Sequence, residues 1–490
     1  MANFVGIDIG TSSVKAVLID ERQSMLADAS APLEVSRPRP LWSEQDPEDW
    51  WRETEAVIAV LRARAPRAMA GVEAVGLSGQ QHGATLLDAS GTVLRPAILW
   101  NDGRSFAQCA ELLRKVPDFT RRSSNLPMPG FTAPKLLWVA EHEPEVFARV
   151  AKVLLPKDYV RLRMTGDAVS DVSDAAGTLW LDVARRDWDD VLLAATGLAR
   201  AHMPGLVEGS AVSAFLKPEL ARAWGLGARV IPAAGGGGDN AASAVGMGAV
   251  NPGDGFLSLG TSGVSFVATD HPIALPERTL HSFCHALPGR WHGMAVSLTA
   301  AAALEWIARI VGRADLPRLL ADVEAFAADS LNRARAPIFL PYLGGERTPY
   351  NDPDATAQFA GLRIGHEAEA LVYAVLEGVA FSLADGLDVL AEAGAAPTNC
   401  LLVGGGSRSE FWARLISDVT RAPLDLPRDG EIGAAFGAAR LAMLAAGRPE
   451  AETCAKRPIR HHIEPGPDDF GERRRRMRAL YVRGGEPTKA

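Results

Sequence analysis

A short apolar strand that runs into Gly-Thr-Ser and straight out again as a second apolar strand occurs twice in this chain of 490 residues, half a chain apart. The first copy is Phe4 to Ile9, Gly10-Thr11-Ser12, then Val14 to Asp20; the second is Phe256 to Leu259, Gly260-Thr261-Ser262, then Val264 to Val267. A strand–turn–strand unit repeated at this separation points to a duplicated fold in which each half presents one hairpin to a shared cleft. The run Asn251-Pro252-Gly253-Asp254-Gly255 lies between the copies and is made of turn residues alone, so it marks the boundary. The copies differ at one charged position, because Asp8 of the first corresponds to Ser258 of the second.

Between the hairpins, strands alternate with helices, the pattern of an α/β fold. Asp46-Pro47-Glu48-Asp49 combines a cap, a proline and an acidic first turn, and predicts a helix start. Val72 to Ser78 reads as a strand ending at Gly79-Gln80-Gln81-His82-Gly83, and Ala228 to Ala234 as another running into Gly235 to Gly238. Helical spacing predicts helices near 105–116, 134–143 and 187–196. The four arginines Arg473 to Arg476 read as the solvated face of a late helix.

Composition excludes several functions. Fifty-one basic against 59 acidic residues leave a net charge of −8, with no basic face for a nucleic acid. No run of ~18 uninterrupted apolar residues is present, since Arg440 breaks the alanine-rich stretch ending at Leu444. The N-terminus has none of the features of a secretory leader. The expectation is a cytoplasmic protein with neither membrane nor nucleic-acid partner. Cys109, Cys284, Cys400 and Cys454 are too far apart for a zinc site or a disulfide framework.

Turns of Gly, Thr and Ser expose backbone N–H groups and hydroxyls in an arc that suits phosphate oxygens. The two hairpins are joined by a third glycine-rich turn, Gly404-Gly405-Gly406-Ser407, after the apolar strand Cys400 to Val403, where a flat ligand could approach the backbone closely. The chain has no G-x-x-x-x-G-K-[ST] run, and no G-x-G-x-x-G follows a strand, which excludes P-loop and dinucleotide folds. Asp239 follows four glycines that clear space around one carboxylate, which suits a base taking a proton from an attacking hydroxyl. The competing reading is a helix cap. Asp8, inside an apolar strand beside a phosphate turn, calls for a cation such as Mg²⁺, held directly or through water. Gln80-Gln81-His82 and Trp100-Asn101-Asp102-Gly103-Arg104 are the clusters able to hydrogen-bond a small polar substrate.

These pieces, with Phe131 to Trp138, Gly235 to Ala242, Leu257 to Gly263, Gly404 to Trp412 and Gly430 to Ala439, resemble the FGGY carbohydrate kinase family over nearly the whole chain, and within it the xylulose-phosphorylating members. The resemblance implies two actin-like ATPase domains of the ribonuclease H type around a central cleft. Residues 1–248 would hold the sugar, the first phosphate hairpin and the base, 249–445 would hold ATP, and 446–490 would form a tail. It implies Asp239 as catalytic base and Asp8 as the carboxylate near Mg²⁺. Gly10, Thr11, Ser12, Lys15, Gly260, Thr261, Gly405, Gly406 and Ser407 would line the nucleotide. Gln81, His82, Asn240, Trp100, Asp102 and Arg104 would line the sugar. The implied reaction is ATP-dependent phosphorylation of D-xylulose to D-xylulose 5-phosphate, with room for a homodimer. The alternatives are a kinase for ribulose, L-xylulose or glycerol, or a non-catalytic actin-like nucleotide-binding protein. One departure is visible: Gln81 stands where many bacterial members have methionine.

Overall fold

The computed structural model describes residues 2–227, 230–428, 433–483 and 486–487. Two seven-stranded sheets dominate the described residues, and each is built around one of the two hairpins. In the first half, β1 (Asn3–Ile9) pairs antiparallel with β2 (Ser13–Asp20), which pairs with β3 (Met25–Pro32). On its other edge β1 runs parallel to β4 (Val72–Gly79). Of the next two strands in the chain, β5 (Val212–Phe215) and β6 (Pro232–Ala234), β6 lies beside β4 and β5 forms the edge beyond it, with the short β7 (Gly237–Gly238) also on β4. Ala228 and Arg229, expected at the start of β6, lie outside the described residues.

The second sheet repeats the plan. Its β8 (Asp254–Leu259) pairs antiparallel with β9 (Gly263–Thr269). The order is β10 (His281–Cys284), β11 (Trp291–Ser297), β9, β8, β12 (Asn399–Val403), β13 (Leu424–Pro427) and β14 (Ile459–Ile463). β8 and β12 are parallel, as β1 and β4 are. The predicted duplication is therefore present in strand order and direction. The last strand, β14, comes from the expected tail and closes one edge of this sheet.

Local signals behave as their chemistry requires. The helix Pro47–Arg64 begins where Asp46 accepts the Glu48 N–H, with proline in the first turn. Helices Phe106–Lys115 and Thr132–His142 match expectation. The third is shorter than expected: Asp187–Trp188 is a strand, and Asp189 caps a helix that spans only Asp190–Ala195.

Two features depart from the sequence reading. The helix Ala434–Ala445, expected with the second half, packs on the first sheet. Its seat is made by glycines: a Cβ on Gly6 would lie 1.9 Å from the Ala435 carbonyl oxygen, one on Gly76 1.8 Å from that of Ala438. A Cβ on Gly437 itself would lie 1.7 Å from the Ala242 oxygen. Backbone meets backbone there, which no other residue permits. Residues Gly430 to Ile432, before this helix, lie outside the described residues.

The arginine quartet is the second departure, since Arg473 and Arg474 are half-buried and only Arg475 and Arg476 stay exposed. Arg473 forks onto buried Glu377 at 2.6 Å through both nitrogens, and Arg474 and Arg478 converge on Asp385. Arg475 does keep the expected solvent role: its side chain is 72% exposed and pairs with Glu472 on its own helix. Glu377 and Asp385 belong to the 25-residue apolar helix Ala368–Glu392, which is long and apolar enough to cross a membrane but is mostly buried in the second core. Buried carboxylates in such a helix require cationic partners, and the tail supplies them.

Candidate active site

Register decides where the carboxylates meet. Asp8 on β1 lies opposite Ser78 on β4, and Ser78 lies opposite Gly237 on β7, two residues before Asp239. Asp8, Asp239 and the Gln80–His82 turn therefore share the C-terminal ends of adjacent parallel strands, where ligand clefts form in open α/β sheets. Gly236, at φ +82°, makes the bend before β7. Gly238 precedes the helix Asp239–Met247 as its cap, so Asp239 is the first helical residue rather than the cap itself.

Both carboxylates are half-buried and both are pushed upward. Asp239 rises to about 7, chiefly through burial and then through the Asp8 charge, against the Asn240 N–H and side-chain amide that donate to its Oδ1 at 2.7 and 2.9 Å. Asp8 rises to about 6 through burial, with the neighbouring Ser78 hydroxyl and Lys15 ammonium offsetting part of the effect. Lys15 is the cross-strand partner of Asp8 and lines the same pocket. Asp8 Oδ1 is buried without a hydrogen-bond partner. Two raised carboxylates in one cleft are the electrostatic pattern of a site that holds a proton or a cation.

Gln81 is buried, and its amide nitrogen donates to the Ser173 carbonyl at 3.4 Å. A Cβ on Gly238 would lie 2.7 Å from that nitrogen, so the amide covers the turn that carries Asp239. His82 sits at φ +69°, a left-handed conformation costly for a side chain with a Cβ. It is held there from two sides: Thr132 Oγ1 and Lys135 Nζ donate to its carbonyl at 3.1 and 2.9 Å, and its Nδ1 lies 2.6 Å from the Gly177 carbonyl. Burial pushes the imidazole down to about 3, so it is neutral; Nδ1 donates and Nε2 keeps a lone pair.

The Trp100–Arg104 cluster is turned inward. Trp100 Nε1 donates to the Thr11 hydroxyl at 2.9 Å, and that hydroxyl donates to Gln80 Oε1 at 3.0 Å. Asp102 accepts from Ser43 N–H and from Arg104 through both backbone and guanidinium. Arg104, with its side chain 1% exposed, also meets Glu44 and stacks 3.6 Å from the centre of the Trp42 ring. Its charge is committed to that brace.

The two hairpins, alike in sequence, differ in what they offer. Thr11 is tied into the Gln80–Trp100 network, whereas Thr261 is exposed, with its carbonyl and that of Gly260 accepting from Ala300 and Ala301 at the start of the helix Ala301–Ile310. Gly10 and Ser12 close the first turn, where Gly10 N–H donates to the Ser13 carbonyl at 3.0 Å. Gly405 and Gly406 line a pocket of about 570 Å³ with Leu304, Pro317, Leu320 and Phe411. A Cβ on Gly405 would meet nothing within 4 Å, so the backbone there faces open space. Ser407 instead turns its hydroxyl onto the Gly404 carbonyl at 2.7 Å.

Several residues of the site escaped the sequence reading. Lys157 is fully buried among Asp158, Asp171 and Asp174, at 2.6, 2.7 and 2.9 Å. Asp171 accepts from the Ser173 hydroxyl, and Ser173 Oγ accepts the Gly238 N–H at 3.2 Å. Arg161, also buried, donates to the carbonyls of Ala234 and Gly235. A buried charge cluster thus braces the glycine turn before Asp239. Lys135 carried a readable signal, being a lone lysine inside the apolar run Ala133 to Val139, which requires a buried partner.

Comparison with known proteins agrees with this geometry. The sequence model for the N-terminal domain of the FGGY family of carbohydrate kinases matches residues 3–246, and that for the C-terminal domain matches 255–446. The xylulose kinase of Escherichia coli (strain K12) is 52% identical over 444 residues, 90% of this chain and 90% of the relative. The xylulose kinase of Bacillus subtilis (strain 168) is 35% identical over 94% of this chain and 92% of its own. Among solved structures, a "xyloylose kinase" from Brucella ovis superposes with a TM-score of 0.93 at 49% identity, covering 98% of each chain. The xylulose kinase of Rhodospirillum rubrum does so with 0.90 at 31%, again over 98% of each. With both halves matched and the carboxylate pair at the strand ends, the chain belongs to the FGGY family of carbohydrate kinases.

Proposed function

We propose that this kinase transfers the γ-phosphoryl group of ATP to the terminal hydroxyl of D-xylulose, giving D-xylulose 5-phosphate. The observation that carries the reading is the convergence of Asp8, Asp239, Gln81 and His82 on one set of strand ends. Relatives that are 52% and 35% identical and named xylulose kinase support the choice of sugar. In this reading the first half, to about residue 248, holds the sugar and the base. The second half, to 445, holds the nucleotide, with its base in the pocket beside Gly405 and its phosphates at the Thr261 hairpin. ATP use fits the cytoplasmic setting expected from the sequence.

Asp239 accepts the proton of the sugar hydroxyl as the oxygen attacks phosphorus, and Asn240 fixes the orientation of that carboxylate. Gln81 and His82 bind sugar hydroxyls, the amide beside the base and the imidazole one residue further on. Trp100, Asp102 and Arg104 act behind them, by bracing Thr11 and the loop that carries Ser43. Coupled ATP turnover measured against D-xylulose, D-ribulose, L-ribulose, L-xylulose and glycerol tests the assignment. D-Xylulose should show the highest kcat/KM, and a clear preference for another member of the panel would replace it.

Mg²⁺ fits at Asp8, because its Oδ1 is buried without a hydrogen-bond partner beside a second carboxylate and Lys15 offsets only part of that negative charge. Bound there, the ion would neutralise charge on the phosphates. Asp8→Ala should lower turnover by about two orders of magnitude or more. It should also abolish the relaxation enhancement of water protons by Mn²⁺ with ADP, a readout independent of turnover. Unchanged metal binding in the variant would remove Asp8 from this role.

Ser173→Ala removes the hydroxyl that joins Asp171 to the Gly238 N–H. A buried N–H left unpaired costs about 1–3 kcal/mol, and the base turn should loosen. The expected result is kcat about tenfold lower with KM for ATP unchanged; equal activity in a folded variant would show that the turn holds its place without the hydroxyl.

A further inference from the structure

Arg347 approaches the sugar end of the cleft from the other half of the molecule. Its loop is pinned beside β10 and β11: Thr279 Oγ1 donates to the Arg347 carbonyl at 2.7 Å, and Thr348 N–H donates to the Val296 carbonyl at 3.0 Å. The adjoining strand β10 begins with His281, whose ring centre lies 5.5 Å from that of Phe131. Phe131 in turn lies 4.5 Å from the His82 ring. Asn125 clasps the same strand through Ser282, donating to its carbonyl at 2.7 Å and accepting its N–H at 3.0 Å. The two halves are therefore fastened together at this end of the site.

The Arg347 guanidinium is half-buried and, among the described residues, has no hydrogen bond and no ion pair. Other buried arginines here behave differently: Arg104 is held by carboxylates, and Arg161 and Arg440 by backbone carbonyls. Burial disfavours its charge, the adjacent Glu346 carboxylate offsets only part of that, and a half-buried cation with no hydrogen bond is open to completion by a ligand. Its charge reaches both His82 and His281, adding to the burial that keeps them neutral. The Gln81 amide lies over Gly238, the residue before Asp239, His82 follows Gln81, and the His82 ring shares Phe131 with His281, beside which the Arg347 loop is pinned. A sugar whose terminal hydroxyl met Asp239 and whose chain ran past His82 would reach toward Arg347 with its opposite end.

We propose that Arg347 is a specificity-determining residue that donates to the carbonyl oxygen at the ketose end of the sugar, while His82 Nε2 accepts from a hydroxyl beside it. The chemistry is complementary: a guanidinium only donates, the Nε2 of this neutral imidazole only accepts, a ketone only accepts, and a hydroxyl can donate. A site that presents a fixed donor to a substrate oxygen discriminates against an analogue that fills the position less well. This role rests on the ketose-kinase reading above.

The test compares D-xylulose with xylitol, which carries a hydroxyl in place of the carbonyl, in wild type, Arg347→Met and Arg347→Lys. The methionine variant should lose about 10–100-fold in kcat/KM for D-xylulose while KM for ATP stays within about twofold. The ratio of kcat/KM for D-xylulose to that for xylitol should fall at least about tenfold, and lysine should recover part of the loss. An unchanged ratio, whether both substrates suffer equally or neither suffers, would overturn the proposal. A folding defect would show as a lowered melting temperature with a raised KM for ATP, and Arg347→Lys, which keeps the charge and the bulk, would then carry the comparison. Should wild type prefer another pentulose, the substrate reading fails by itself, and the Arg347 comparison is made on that ketose and its polyol.

Discussion

Asp239→Asn should lower kcat by roughly two to four orders of magnitude while leaving KM for ATP nearly unchanged, because the amide keeps the shape but cannot take the hydroxyl proton. The same variant should be the more stable protein at alkaline pH. Asp239 is raised to about 7 in the fold by burial and by Asp8, well above an exposed carboxyl. A group raised in this way favours the fold while protonated, and that contribution is lost as pH rises through about 7. Wild type thus carries an ionised, poorly solvated carboxylate at about pH 8, and the asparagine variant does not. Its melting temperature should exceed that of wild type by a few degrees there, and the gap should narrow below about pH 7 and close only near about pH 4, where the unfolded carboxyl is protonated as well. In the metal-free protein the Asp8–Asp239 pair should titrate in the range about 6 to about 7, and these values belong to the pair rather than to one residue. If Asp239 served only the helix, asparagine would do nearly as well in turnover, since both suit a helix start. Near wild-type kcat in this variant would therefore take the base out of the mechanism.

Gly76→Ala, a single added methyl, should cost about 3 kcal/mol or more and lower the melting temperature by roughly 6–12 °C. The new Cβ would stand 1.8 Å from the Ala438 carbonyl oxygen and 2.7 Å from its carbon, in the backbone of the helix Ala434–Ala445. Neither partner can rotate away, so the helix must retreat from the sheet. That helix also packs tightly against the helix Asp239–Met247, where Gly437 meets Ala242. Retreat should therefore disturb Asp239 as well, and residual activity should fall with stability. Gly365→Ala is the control, since a Cβ there meets nothing within 4 Å and its melting temperature should stay within about 1 °C. Equal melting of the two variants would show that the helix is not seated as described.

Much of this molecule was legible from local chemistry. The hairpins and the helix start at Pro47 follow from residue type and spacing within short windows. Hydrophobic period and turn residues act over such windows, and the duplicated hairpin adds the long-range fact that the halves are alike. Glycine at 6, 76 and 437 signals close approach, but not which helix approaches. That the helix Ala434–Ala445 crosses to the first sheet was settled by which pair of surfaces fits. Register is likewise a tertiary quantity: Asp8 and Asp239 stand together because Ser78 pairs with Asp8 on one side and Gly237 on the other. The same distinction separates Thr11 from Thr261, identical in their turns, yet one held by Gln80 and Trp100 and the other open. Charge misled where burial decides its meaning. Arg104 looked like a sugar contact and the arginine quartet like a wet surface, but carboxylates elsewhere in the fold claim Arg104, Arg473 and Arg474. A sequence names the charged groups and the small residues; only the folded chain pairs them, because an ion pair or a backbone contact is a property of two segments brought together by the packing of everything between them.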